Sequence, residues 1–165
     1  MHAIRIRAAS RGFSIVEALV ALVVLSIGML GIAALYVESL RAGRSAIYRT
    51  QAVNLASDMA DRIRANRQGR NSYDLPAGAA APSLQNCSPP GTVNCTAQQL
   101  AQDDLAQWVA SIAAQLPGNG ARPASGIVTV TPSAGAPLPS EYTIQVTWFE
   151  PGEAQPLSYV LNMQI

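Results

Sequence analysis

Few side chains in this sequence are equipped for chemistry. The only histidine is His2. All 11 basic residues are arginine, and lysine is absent, which excludes Schiff-base chemistry and a lysine base. Ser88, Ser125 and Ser133 are candidate nucleophiles, but beyond the first residues no histidine exists to activate them. A Ser-His-Asp triad is therefore impossible, and no paired-acid motif stands out. No His/Cys/acid cluster has metal-ligand spacing. No catalytic residue, metal site or cofactor is expected, and the chain reads as a non-enzyme. The formal net charge of +1 also argues against nucleic-acid binding, which normally shows a strong basic excess.

Two features remain. The first is Glu17, a lone acid at the front of a run, Ala18 to Val37, that contains no charged residue. As a helix rising ~1.5 Å per residue, that run reaches ~30 Å, the thickness of a bilayer's hydrocarbon core. A carboxylate near a bilayer centre costs at least ~2.5–3.5 kcal/mol, and less near the interface. A chain that only needed an anchor would have no use for it. The second feature is the pair Cys87 and Cys95, separated by Ser-Pro-Pro-Gly-Thr-Val-Asn. The prolines and glycine bend the chain back, so a small closed loop is easy to form. A disulfide is the natural reading if this part is exported, and two free thiols if it is cytosolic. The spacing fits neither a redox dithiol nor a zinc site.

The elements that must position these groups can be read in order. Residues 1–12 hold Arg5, Arg7 and Arg11 and cannot build a core, so they read as a targeting segment. Within the apolar run, Ser26, Gly28 and Gly31 mark either a soft segment or close helix packing by small residues. Arginines flank both ends of the run, with Arg41, Arg44 and Arg49 behind it, so charge counting gives no orientation. Past Val37 nothing stops the helix. Leu40, Ile47, Leu55, Met59 and Ile63, with Ala52, Ala56 and Ala60, form an apolar stripe, and the other side carries Arg41, Arg44, Arg49, Asp58, Asp61, Arg62 and Arg64. The second half should therefore lie on a globular domain. From Phe13 to about Ala65 the helix would be ~80 Å long. Arg62, Arg64, Arg67 and Arg70 read as a solvated helix end suited to the C-terminal dipole.

Residues 66–96 read as surface loop. Thr96 with Gln99 suggests a capping box opening a helix over 97–116. Leu105, Trp108, Val109, Ile112 and Leu116 share its apolar face, with Trp108 a core residue, and Asp103 and Asp104 favour its N-terminal dipole. The last third changes period. Residues 126–131, 141–149 and 158–165 read as strands, Tyr142, Ile144, Val146 and Trp148 alternating with polar residues in the second. Glu150-Pro151-Gly152-Glu153 starts the turn between the last two. The fold class is α+β, a long N-terminal helix packed on a small antiparallel sheet. An uncovered sheet edge would be open to a partner strand.

The basic leader, Gly12, then Phe13-Ser14-Ile15-Val16-Glu17 and a long apolar helix resembles the class III signal of type IV pilins and type II secretion pseudopilins. The stretch from Ala52 to Asn66 (Ala-Val-Asn-Leu-Ala-Ser-Asp-Met-Ala-Asp-Arg-Ile-Arg-Ala-Asn) is similar to the minor pilins called PilV. The resemblance implies cleavage after Gly12 by prepilin peptidase, methylation of Phe13, and pairing of Glu17 with a neighbouring subunit's N-terminus. It implies a leader (1–12), a transmembrane and filament-core helix (13–37), an amphipathic continuation (38–66) and a globular pilin domain (67–165). It implies single-pass residence in the inner membrane with the C-terminal domain in the periplasm, then the pilus at the cell surface. The partners implied are other major and minor pilins and the inner-membrane assembly platform. Two alternatives stand beside this: a minor pseudopilin of a type II secretion system, and a plain signal-anchored periplasmic binding module.

Overall fold

The structure, a computed structural model, describes residues 12–87, 94–132 and 140–165. Arg5, Arg7, Arg11, Ser88 and Ser133 lie outside the described residues. The chain divides into two compact units, 1–43 and 44–165. The element order is α1 (Ile15–Ala65), a short 3₁₀ turn (Arg70–Tyr73), α2 (Ala97–Gln115), β1 (Ser125–Thr131), β2 (Glu141–Trp148) and β3 (Leu157–Gln164).

Helix α1 runs for 51 residues without proline. In the first unit its large apolar side chains are exposed, Leu30 and Leu35 at 72%. In the second unit it buries Ala52, Leu55, Ala56, Met59, Ala60 and Ile63, with Tyr48 packed against the same core. The 4-3-1-3-1-3 spacing from Tyr48 keeps these side chains on one face. Ile47 is 57% exposed and Leu40 50%, which corrects their place in the expected stripe. At about 100° per residue, both project from the far side of the helix.

Helix α2 opens on a full capping box. The Gln99 N–H donates to Thr96 Oγ1 at 3.3 Å and the Thr96 N–H to Gln99 Oε1 at 2.9 Å, so two otherwise orphaned donors are satisfied. It lays Ala101, Leu105, Trp108 and Ile112 into the core. Trp108 is fully buried, and its Nε1–H donates to the Leu55 carbonyl of α1 at 2.8 Å. A buried indole needs such an acceptor. Gly126 on β1 faces the same ring, and a Cβ there would collide with it.

The sheet is antiparallel with order β1-β2-β3. Tyr142, Ile144, Val146 and Trp148 of β2 point inward, as period 2 requires. Strand limits differ from the expected ones by one residue. β1 begins at Ser125, β2 ends at Trp148, and the Phe149 N–H instead donates to the Pro117 carbonyl at 3.0 Å. The turn to β3 has Pro151 second, Gly152 third at φ +93°, and a bond from the Glu153 N–H to the Glu150 carbonyl at 3.0 Å. That is a type II turn, whose third position favours glycine.

The segment after α1 is more than loop. Tyr73 of the 3₁₀ turn is buried, and Leu75 is bridged to Val128 of β1, each N–H bonded to the other's carbonyl at 2.8 and 3.1 Å. The isolated bridge gave no periodic signal in the sequence.

Candidate functional site

Gly12, Phe13 and Ser14 precede the first helical residue, Ile15. The Ala18 N–H donates to the Ser14 carbonyl at 3.1 Å, so the helix is already hydrogen-bonded at that point. Phe13 is 72% exposed. Glu17 is exposed in the first turn, where a carboxylate complements the positive end of the helix dipole. Among the described residues it has no ion-pair partner. Gly12, Phe13 and Glu17 thus occupy one short stretch of accessible chain: a small residue, an aromatic one, and an acid one turn further on.

Behind them, α1 is long and apolar enough to cross a membrane, and none of its most apolar stretch is buried. The polar side chain inside it is satisfied locally. The Ser26 hydroxyl donates to the Leu22 carbonyl at 2.7 Å, as a hydroxyl in lipid or a dry helix bundle must. A Cβ at Gly28 or Gly31 would meet nothing within 4 Å, so no contact inside the chain requires glycine there.

In the second unit, Cys87 and Cys95 are joined in a disulfide. The strand entering that bond is held by Asp103. Its carboxylate accepts the backbone N–H groups of Gln85, Asn86 and Cys87 at 2.6, 3.0 and 3.3 Å, and the Gln107 side-chain amide at 2.8 Å. Asp103 is 1% exposed. A buried carboxylate is tolerable only with such a set of donors. This corrects its expected role, since neither Asp103 nor Asp104 lies in the first turn of α2.

Asp104 has a different task. It takes the Arg62 guanidinium at 3.0 Å and the Tyr73 hydroxyl at 2.7 Å. Arg62 also donates to Asp58 at 2.9 Å, while the Asn66 side-chain amide donates to the Tyr73 oxygen at 3.2 Å and to the Ala97 carbonyl at 2.7 Å. Burial and the bond to Asp104 push the Tyr73 phenol well above its ordinary range. Burial works against the Arg62 charge, but the bonds to Asp104 and Asp58 outweigh it and raise the pKa. Arg62 is therefore a tie between α1 and α2, not a solvated helix end; the more exposed Arg64 pairs only with Asp61. The Asp58–Arg62 pair is local, at i, i+4, but nothing in the sequence pointed to Asp104. The partners are 42 residues apart, beyond any local pattern.

The stretch of sequence that carries the exposed acid, the long apolar helix and the two cysteines matches two family models. Residues 7–33 match the prokaryotic N-terminal methylation motif. Residues 34–106 match the family described as type IV pilin Tt1218, a family of structural subunits. No curated protein and no solved structure matches the chain. The two models adjoin, and over residues 7–106, from the front of α1 through the first half of α2, the chain is similar to type IV pilins with the N-terminal methylation motif at its front.

Proposed function

We propose that this chain is a minor pilin, a structural rather than catalytic subunit of a type IV pilus. One observation carries the reading: Glu17, an acid with no ion-pair partner among the described residues, stands one turn behind Gly12-Phe13 at the front of a helix whose apolar run has no buried residue. The precursor is held in the inner membrane by the helix over 13–37, with its head in the periplasm. Prepilin peptidase cleaves after Gly12, removing Arg5, Arg7 and Arg11 and freeing an amine on Phe13, which is then methylated. Glu17 meets the N-terminal ammonium of a neighbouring subunit as the apolar helices bundle, so a carboxylate that lipid penalises becomes paired. The disulfide supports export to an oxidising compartment. The likeness of Ala52–Asn66 to PilV supports a minor pilin of that kind.

Mass spectrometry of the mature protein tests this reading. The expected result is loss of residues 1–12 and one added methyl. Gly12→Arg should block processing, and Glu17→Ala should leave membrane insertion intact while abolishing incorporation into fibres. A mature protein that keeps Met1 would sink the proposal and favour a plain signal-anchored binding module. A knockout that loses protein secretion but keeps twitching would assign the subunit to a type II secretion system instead.

A further inference from the structure

The two edges of the sheet differ. The bonds between Ser140 and Ile165, at 2.8 and 3.0 Å, set the phase of the β2–β3 ladder. In an antiparallel pair, bonded positions alternate, so Leu157, Tyr159, Leu161 and Met163 bond to β2. The N–H and C=O groups of Ser158, Val160, Asn162 and Gln164 then face outward. On the opposite edge two outward positions of β1 are engaged: Val128 by Leu75, and the Val130 N–H by the Asp74 carboxylate at 3.1 Å. Among the described residues no such cover lies on β3. Natural edges are protected by charge, proline or a bulge. Strand β3, Leu-Ser-Tyr-Val-Leu-Asn-Met-Gln, has an unbroken register and none of these. An open edge of this kind is a template for another chain.

A groove of about 350 Å³ adjoins the start of that edge, lined by Arg49, Val53, Trp148, Leu157, Ser158 and Tyr159. Its lining holds a cation and no acid. Trp148 is 2% exposed and its Nε1–H has no acceptor among the described residues. That indole N–H is shielded from the groove, so the guanidinium of Arg49 and the apolar lining set what the groove favours. The groove therefore favours an anionic oxygen carried on an apolar body.

We propose that the outer edge of β3 receives an extended segment of another pilin as a fourth strand, with one carboxylate of that segment seated in the Arg49–Trp148 groove. Main-chain bonds to Ser158, Val160, Asn162 and Gln164 hold the strand, and Arg49 selects the acid. This rests on the chain being a filament subunit.

The test uses the full chain in detergent micelles and a synthetic strand, acetyl-Thr-Val-Glu-Val-Thr-Val-amide, beside its glutamine counterpart. Only two tryptophans are present, so their indole resonances separate the groove from the core. The acidic peptide should shift the Trp148 signal, leave Trp108 unmoved, and protect the four outward amides from exchange. It should bind about tenfold tighter than the glutamine peptide, a difference that Arg49→Gln removes. Equal affinity for both peptides, or no protection at the four amides, overturns the proposal. In cells, Asn162→Pro removes an outward N–H without touching the ladder. It should keep cleavage and methylation at Phe13 yet lose fibre incorporation, and a photo-crosslinker at Val160 should capture a pilin identified by its peptides. Normal incorporation of Asn162→Pro would overturn the edge proposal while leaving the subunit reading intact. Absent cleavage in the wild type would overturn the subunit reading itself.

Discussion

The two halves of α1 obey the same helical geometry and meet opposite fates. The front half carries Leu19, Leu22, Leu25, Ile27, Leu30 and Ile32, each more than half exposed. The rear half is poorer in large apolar side chains, three of its six buried positions being alanine (Ala52, Ala56 and Ala60), and yet it lies in the core. Apolarity alone therefore does not say where the core is. A one-sided stripe can be buried by its own chain, whereas a helix apolar all round exposes some face to whatever it packs against, so it needs lipid or neighbouring helices. It is the rear half whose Leu55 carbonyl accepts the Trp108 indole N–H of α2.

This contrast can be broken or sharpened by experiment. The largest effect should come from Trp108→Ala, which empties the centre of the domain and frees the Leu55 carbonyl. A loss of about 3–5 kcal/mol is expected in denaturant unfolding, and a loss under ~1 kcal/mol would mean the core is not built around this ring.

A middle-sized effect concerns pH. The folded-state pKa of Tyr73 is raised above its unfolded value, so its contribution to stability is complete below about pH 10 and lost as pH rises past that. Tyr73→Phe should flatten the alkaline fall in stability, read from unfolding midpoints between about pH 9 and 11. An unchanged alkaline slope would show that burial and the Asp104 bond do not hold the Tyr73 phenol protonated in the fold.

The smallest effect should be that of Leu30→Ala. The side chain is exposed, so unfolding of the globular domain should move by less than about 0.5 kcal/mol. A large shift there would erase the distinction between the two halves.

Much of this molecule was legible from short-range pattern. The uncharged run showed as composition, α2 as a capping box followed by a 3.6-residue stripe, and β2 as strict alternation ending in a Pro-Gly turn. Each is decided by neighbours a few residues apart, which is where periodicity and turn chemistry act. The grouping of Gly12, Phe13 and Glu17 showed in the sequence for the same reason, since the three lie within six consecutive residues.

Tertiary structure decided the rest. The sequence left the cysteines open between a bond and free thiols, and only the fold brings them together, with Asp103 gripping the backbone that enters the bond. Asp103 and Asp104 are adjacent acids on one helix, indistinguishable by type, but one faces a loop and the other faces Arg62 and Tyr73. Which edge of the sheet is covered likewise depended on Leu75 reaching Val128 across 53 positions of chain. Local sequence determines which faces are apolar and where helices begin. A pairing between distant residues is set by how those faces stack, and that is a property of the whole packed domain rather than of any stretch within it.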